Sequence, residues 1–216
     1  TGLSVKLIDC DTEDCSTNTS TTVATGMMND VDIDCPSSTN CKIAYSYAST
    51  QLNMADCDNE TCSTNTETPI ESDMSIGEGV AIDCPSSTNC KVAYVDSDNE
   101  AIKLADCDNE ACSSPTITTV DDSSLVDGAL KNMVDIKCPS GSDCKLAYVD
   151  TGNNLVFTDC GDETCSSNTI SYPTISGETN EGLSLACPSA TNCKVTLNDS
   201  DNVRLGFVDC DNATCS

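Results

Sequence analysis

The cysteines of this 216-residue chain follow a strict alternating pattern. A Cys-x4-Cys pair occurs five times and a Cys-x5-Cys pair alternates with it four times, so that all 18 cysteines are used. The Cys-x4-Cys pairs are Cys10 and Cys15, Cys57 and Cys62, Cys107 and Cys112, Cys160 and Cys165, and Cys210 and Cys215. The Cys-x5-Cys pairs are Cys35 and Cys41, Cys84 and Cys90, Cys138 and Cys144, and Cys187 and Cys193. Successive Cys-x4-Cys pairs are 47, 50, 53 and 50 residues apart. A fixed period of this length indicates a solenoid, a propeller or an array of repeats.

One copy of the repeat, over residues 80–121, contains four short apolar segments separated by turn-forming residues. The predicted strands are A (80–83), B (91–96), C (101–106) and D (115–120), and the cysteine pairs occupy the A–B and C–D turns. Short strands with frequent turns indicate an all-β fold, and four antiparallel strands per unit are typical of a propeller blade. We therefore predict tandem four-stranded antiparallel blades, about four repeats of ~50 residues, arranged as a propeller-like ring or as an open β-solenoid or superhelical array.

The whole chain, residues 1–216, is expected to form a single repeat array. A partial repeat over 1–30 supplies strands C and D, complete repeats cover 31–79, 80–129 and 130–182, and a partial repeat over 183–216 supplies strands A, B and C. This gives 17 strands. A closed ring of four blades with four strands each has no place for the extra strand C, whereas an open array or a stretch of a longer repeat protein does. An unpaired strand edge is a template for further pairing.

Charged residues mark the same two places in each repeat. A lysine follows each Cys-x5-Cys pair, and an aspartate precedes each Cys-x4-Cys pair. When strands B and C fold into a hairpin, these two residues lie opposite each other. The predicted cross-strand pairs are Lys42 with Asp56, Lys91 with Asp106, Lys145 with Asp159 and Lys194 with Asp209. Such pairs contribute roughly 0.2–1 kcal/mol each, and they also fix the register of the strands.

The pairing of the cysteines has two solutions. A local scheme joins the two cysteines of each turn, and a rival scheme joins Cys90 to Cys107 and Cys84 to Cys112. We favour the local scheme, in which each small loop contributes roughly 2 kcal/mol. Zinc is disfavoured, because the chain has no histidine and nine pairs do not combine into four-ligand sites.

Composition restricts the partners and the location of the protein. The net charge of −27 disfavours nucleic acid, and no run of residues is long and apolar enough for membrane insertion. Aromatic residues make up only 3% of the chain, so the core must be thin and in need of disulfides. Regular cysteines indicate an oxidising compartment. We expect a processed, secreted protein at the cell surface or in the extracellular space.

Four sequons predict covalent glycans, at Asn18, Asn59, Asn198 and Asn212, and all are expected in turns or in loops next to turns. The acidic C–D turns, such as residues 106–110, look like fragments of calcium-binding loops. They lack the glycine and the final glutamate of an EF-hand, so we predict no cofactor and keep Ca²⁺ as the weaker alternative.

Residues 91–120 read KVAYVDSDNEAIKLADCDNEACSSPTITTV. This stretch resembles the disulfide-bearing β-propeller-type tandem repeats of secreted bacterial surface proteins. The resemblance implies propeller blades in an extracellular protein. The chain departs from those repeats in its added Cys-x5-Cys pair and in its few aromatic residues, which favours a durable structural role over a ligand-binding funnel.

The function predicted from the sequence is structural. Without histidine no Ser-His or Cys-His nucleophile can form, and the acidic pairs recur with the turns, so we do not expect an enzyme. We expect a structural subunit of an extracellular filament or surface assembly, built head-to-tail from copies of itself. The alternative is a closed β-propeller that acts as an adhesin or as a carbohydrate- or calcium-binding module.

Overall fold

The computed structural model describes residues 3–122, 134–150, 152–175, 179–199 and 204–215, and they form 17 strands. The strands are β1 (Leu3–Cys10), β2 (Asn18–Gly26), β3 (Met28–Ser37), β4 (Asn40–Tyr47), β5 (Gln51–Cys57), β6 (Asn65–Ser72), β7 (Ile76–Ser86), β8 (Asn89–Asp96), β9 (Ala101–Cys107), β10 (Thr116–Asp121), β11 (Val134–Ser140), β12 (Asp143–Val149), β13 (Leu155–Cys160), β14 (Asn168–Ser171), β15 (Thr179–Ser189), β16 (Asn192–Asp199) and β17 (Arg204–Cys210). The described part of the chain contains no helix with the length and apolarity needed to span a membrane.

The strands form five antiparallel sheets in chain order. Sheet 1 is β1–β2, sheet 2 is β3–β6, sheet 3 is β7–β10, sheet 4 is β11–β14 and sheet 5 is β15–β17. Each complete sheet is a simple meander in which strands A, B, C and D follow one another. The predicted all-β class with four-stranded antiparallel units is therefore confirmed.

The A–B turn is shorter than the sequence suggested. In sheet 3, β7 continues to Ser86 and β8 begins at Asn89, and these two residues pair directly. The prediction of a turn over residues 84–90 is wrong in extent, because the hairpin closes through Ser86 and Asn89 and leaves both cysteines inside the strands. The same correction applies to every Cys-x5-Cys pair, whose members lie within strands A and B: Cys35 and Cys41, Cys84 and Cys90, Cys138 and Cys144, and Cys187 and Cys193.

The repeat boundaries also differ slightly from those expected. Strands β3, β7 and β15 begin a few residues before the repeat starts predicted at 31, 80 and 183. The start predicted at 130 lies outside the described residues.

The sheets pack face to face along the chain, with the A strands β3, β7, β11 and β15 adjacent in succession. Between sheets 3 and 4, Ile102 and Leu104 of β9 pack in one cluster with Ile136, Leu146 and Tyr148. Similar clusters join sheets 1 and 2, sheets 2 and 3, and sheets 4 and 5. The core is therefore a row of thin apolar layers between sheets, which suits a sequence with few aromatic residues.

Two apolar sheet faces stand uncovered in the described part of the chain. Val31 and Ile33 of β3 are 50% and 43% exposed, whereas Ile82, at the position in β7 that matches Ile33, is fully buried. On β17, Leu205 and Phe207 are 75% and 63% exposed. Both faces are of the kind that a neighbouring sheet covers elsewhere in the molecule.

Candidate functional site

All 18 cysteines form nine disulfides, and each joins the two cysteines that flank one turn. Across the C–D turns the bonds are Cys10–Cys15, Cys57–Cys62, Cys107–Cys112, Cys160–Cys165 and Cys210–Cys215. Across the A–B turns they are Cys35–Cys41, Cys84–Cys90, Cys138–Cys144 and Cys187–Cys193. Because the A–B and C–D turns lie at the same end of a sheet, the disulfides of each sheet share one rim.

The two kinds of cysteine pair have different settings. In the Cys-x4-Cys pairs, the first cysteine ends strand C and the second lies in the turn with a left-handed φ of 51–56°: Cys15, Cys62, Cys112, Cys165 and Cys215. In the Cys-x5-Cys pairs, both cysteines belong to strands. The rival pairing is not excluded by distance alone, because Cys90 and Cys107 face each other across β8 and β9. The structure nevertheless has the local connectivity throughout.

The structure brings together each lysine and aspartate expected to pair. In register, Lys42 lies opposite Asp56, Lys91 opposite Asp106, Lys145 opposite Asp159 and Lys194 opposite Asp209. In each case the ammonium group contacts a carboxylate oxygen. Burial raises the pKa of Asp106, while the hydrogen bond and the charge of Lys91 act against this shift.

These pairs differ in burial because the next sheet covers some of them. The side chain of Lys91 is fully buried, whereas that of Lys194 is 30% exposed. Glu163, in the C–D turn of sheet 4, accepts a hydrogen bond from Asn89 at 2.8 Å and lies 3.4 Å from Lys91. Glu110 makes the same 2.8 Å contact from sheet 3 to Asn40 in sheet 2. A glutamate of one sheet thus closes over the lysine of the preceding sheet.

The carboxylates around Lys91 are the nearest approach to a cation site in the described part of the chain. Asp106, Asp108 and Glu163 place one oxygen each within 4.8 Å of one another. The ammonium group of Lys91 contacts two of these three residues. Because this cluster already holds a cationic side chain, it gives the calcium alternative no support.

The four sequon asparagines lie in different settings. Asn59 and Asn212 are in C–D turns, as expected. Asn18 begins β2, and Asn198 lies inside β16 opposite Leu205, so the expectation of a turn is wrong for Asn198. The side chains of Asn18 and Asn198 are exposed. Glycosylation at the four positions stays a prediction.

Aspartates on the A strands accept backbone hydrogen bonds from the next sheet, which the sequence did not reveal. Sheet 3 donates to sheet 2 from Val80 N–H to Asp30 (2.7 Å), from Ile82 N–H to Asp32 (2.8 Å) and from Cys84 N–H to Asp34 (2.8 Å). Later sheets repeat the arrangement from Cys138 N–H to Asp83 (2.9 Å) and from Leu185 N–H to Asp135 (2.7 Å). The free edge of a strand has unpaired N–H groups. Here the preceding sheet supplies their acceptors.

Three of these aspartates accept backbone hydrogen bonds on both carboxylate oxygens, one from their own strand and one from the next sheet. Oδ1 of Asp32 accepts from the N–H of Ile33 at 2.8 Å in its own strand, while Oδ2 accepts from the next sheet. Asp135 is bonded in the same way, with Ile136 at 2.8 Å as the local donor. Burial raises the pKa of Asp135, although its N–H donors and the charge of Lys137 lower it.

A polar groove with one exposed aromatic ring lies at the junction of sheets 1 and 2. It has a volume of about 350 Å³, and its lining residues are Thr25, Tyr47, Gln51, Asn53, Glu67, Thr68 and Pro69. We call it the Tyr47 groove. Tyr47 and Gln51 pair across β4 and β5 beside the B–C turn, so the groove lies toward the rim opposite the disulfides.

Neighbouring residues fix the shape of the Tyr47 groove. Gly26, at the end of β2, has φ +148°, and a Cβ atom there would overlap the ring of Tyr47. Only glycine therefore allows the ring to lie against sheet 1. Glu67 accepts a hydrogen bond from the hydroxyl of buried Tyr45 at 2.6 Å, and Asn53 is 9% exposed. The pKa of Tyr45 is raised, first by burial and then by Glu67.

The sequence carried one signal for this groove. Tyr47 occupies the position at which the next two repeats have Asp96 and Asp150. Those aspartates accept backbone hydrogen bonds within their own B–C turns, from Asn99 at 3.2 Å and from Asn154 at 2.8 Å. An aromatic residue at a position otherwise used for turn closure is a departure from the repeat, and departures are where a local function can reside.

Comparison with solved structures relates the fold to known proteins. The chain is similar to SapL1 lectin, solved with alpha methyl fucoside, with a TM-score of 0.58, 12% identity and coverage of 88% of this chain and 64% of the lectin. It is also similar to a mutant of NanB sialidase from Streptococcus pneumoniae, with a TM-score of 0.58, 10% identity and coverage of 92% of this chain and 34% of the sialidase. A structure of NanB with Optactamide has a TM-score of 0.56 and 10% identity, with the same coverage. At these identities the likeness shows the β-propeller-like fold alone.

The chain spans less than two thirds of each of these proteins. No protein-family model matches the sequence, and no curated protein matches it.

Proposed function

We propose that this chain is a secreted β-propeller-like module that binds carbohydrate in the Tyr47 groove. One observation carries the proposal: an exposed tyrosine ring, two side-chain amides and a carboxylate line one groove between two sheets. The nine disulfides support an oxidising, extracellular location. The lectin and sialidase structures support a fold able to present such a groove.

The chemistry of the lining residues fits a sugar better than an apolar ligand. A pyranose presents apolar C–H groups on one face and hydroxyl groups around its edge. The ring of Tyr47, 37% exposed, offers a flat surface to the C–H groups. Gln51, Asn53 and Glu67 offer donors and acceptors to the hydroxyl groups.

The groove is built for binding rather than hydrolysis. Glycosidases use two carboxyl groups flanking the scissile bond. The lining of the Tyr47 groove includes one carboxylate, Glu67, and the hydroxyl of Tyr45 already occupies one of its oxygens. We therefore propose an adhesin or lectin without enzymatic activity.

A glycan array followed by calorimetric titration tests this function. The wild-type protein should retain a defined set of glycans, and Tyr47→Ala should weaken binding to the best of them about tenfold or more, because an aromatic contact is removed. Glu67→Gln should weaken binding as well, by replacing a charged acceptor with a neutral one.

Tyr172→Ala is the matched control, because Tyr172 is 55% exposed and lies outside the Tyr47 groove. It should bind like the wild type. A wild-type protein that retains no glycan, or a Tyr47→Ala variant with unchanged affinity, would contradict the proposal.

A structural role in a filament or surface assembly is the second candidate function. The uncovered apolar faces of β3 and β17 favour it, because exposed apolar patches mark interaction surfaces. The similar structures are a lectin and a sialidase and give it no support. Electron microscopy of the concentrated protein should show fibres if this role is correct and single particles if it is not.

A further inference from the structure

Contacts between the inner sheets are built from the same parts. Between sheets 3 and 4, Leu104 of strand C packs with Ile136 of the next strand A. Glu163, from the later sheet, accepts a hydrogen bond from Asn89 beside the buried Lys91. One sheet thus presents an apolar strand C and a lysine, and the following sheet presents an apolar strand A and a glutamate.

Sheet 5 carries the first half of this contact with its apolar strand C uncovered. Leu205 and Phe207 lie four and two residues before Asp209, as Ile102 and Leu104 lie before Asp106. The matching residues are fully buried in sheet 3 but largely exposed in sheet 5. Lys194 is partly exposed, whereas its counterpart Lys91 is fully buried.

Sheet 2 carries the second half. Val31 and Ile33 are half exposed, and a groove of about 580 Å³ separates them from Leu3, Val5 and Leu7 of β1. We call it the β1–β3 groove. Glu60 is exposed at the position matching Glu110 and Glu163, the two glutamates that contact the lysine of the preceding sheet.

We propose that the uncovered face of sheet 5 docks on the β1–β3 groove of a second copy of this chain. Leu205 and Phe207 then lose their exposure, and Lys194 meets Glu60. A second copy is the occupant that fits, because the chain carries both halves of the contact and leaves apolar residues of each half between 43% and 75% exposed. The contact is heterologous, so it can extend from copy to copy.

Docking requires one strand to be exchanged. β1 already occupies the place next to sheet 2 that strand C of a preceding sheet takes, and its Val5 packs against the core of sheet 2. β17 has apolar residues at the same distances from its aspartate as β1, with Leu205 matching Val5 and Phe207 matching Leu7. In the docked state β17 takes the place of β1 beside β2, so β1 leaves its pairing with β2. Strands β15 and β16 then fill the open positions of strands A and B in sheet 1.

Sedimentation velocity of two complementary double variants tests the interface. The groove variant carries Val31→Asp and Ile33→Asp, and the face variant carries Leu205→Asp and Phe207→Asp. Wild-type mass should rise with concentration, and each variant alone should associate at least about 100-fold more weakly. An equimolar mixture of the two should form a one-to-one complex, because one keeps the face and the other keeps the groove.

Tyr172→Asp, a charge on an exposed aromatic residue elsewhere, should still associate. Circular dichroism checks the fold, and Ile33→Ser and Phe207→Ser replace any double variant that does not fold. A wild-type protein of constant mass, or a mixture that forms no complex, overturns the proposal. Constant mass with a lower melting temperature in both double variants would show that the two faces meet within one chain.

This inference specifies the surface on which the second candidate function rests. If the protein associates in solution but forms no fibres in the microscope, the proposed interface is supported and the filament role is contradicted. Neither result bears on glycan binding in the Tyr47 groove.

Discussion

At the residue scale, the buried lysines have the most unusual surroundings. Lys42 and Lys91 are fully buried in a chain of net charge −27, and each is held by an aspartate of the same sheet and a glutamate of the next. Burying an ion pair costs desolvation energy that the pair must recover. Removing one partner of such a pair leaves an uncompensated charge, which costs much more than losing an exposed pair.

Replacing Lys91 with Met should therefore lower the free energy of unfolding by about 3–5 kcal/mol, since Asp106 stays buried without its partner. Urea denaturation under non-reducing conditions measures this. Lys194→Met is the matched control, because the equivalent pair in sheet 5, Lys194 with Asp209, is partly exposed. Its effect on the free energy of unfolding should be much smaller. Equal effects of the two substitutions would show that burial by the next sheet has no energetic role.

At the element scale, the C–D turn is closed by one side chain as well as by a disulfide. Asn59, Asn109 and Asp162 occupy the same position, and each accepts a backbone hydrogen bond from the serine four residues later. The second cysteine of each of these turns has a left-handed φ. Non-glycine residues adopt this conformation at a cost, so the side-chain cap and the disulfide together hold it.

Asp162 makes its turn sensitive to acid. Hydrogen bonds from Ser166, above all that from its side chain, lower the pKa of Asp162 from 3.8 to about 2. A lowered pKa means that the folded state binds the proton less tightly than the unfolded state. Its stabilising contribution is therefore complete above pH 3.8 and is lost as the pH falls towards 2.

Asp162→Asn should remove this part of the acid dependence, while Asn109→Asp should add a similar one to sheet 3. Melting temperatures of both variants and the wild type, measured from about pH 6 to about pH 2, give the comparison. The difference in melting temperature between the wild type and Asp162→Asn should change sign or shrink below about pH 4. A difference that is constant with pH would refute the assignment.

At the scale of the whole molecule, the sheets are joined by carboxylates that cap strand edges. Replacing Asp32 with Ala leaves the buried N–H of Ile82 without its acceptor, which should cost about 1–3 kcal/mol. Hydrogen exchange should accelerate at Ile82 and stay unchanged at Ile102, a residue in the middle of sheet 3. Asp32→Asn keeps one acceptor oxygen and should have an intermediate effect. Unchanged exchange at Ile82 in the Ala variant would contradict this role.

The sequence predicts what repeats and misses what does not. The pairing of Lys91 with Asp106 could be deduced, because cysteine spacing and charge recur together in each hairpin. The bond from Ile82 to Asp32 could not, because it joins residues 50 apart and β7 has Ala81 where β3 has Asp32. The Tyr47 groove was missed for a related reason, since Tyr47 departs from the repeat and gains its neighbours only when sheet 1 packs on sheet 2.

The placement of the disulfides also determines how the molecule responds to force. Each bond encloses only four or five residues, and all nine lie at single turns. No covalent tie other than the backbone therefore links one sheet to the next. Pulled from its two ends, the chain would lengthen sheet by sheet to nearly its full contour while every turn stayed shut. A protease cut between two sheets would leave fragments that denaturant alone, without a reducing agent, could separate.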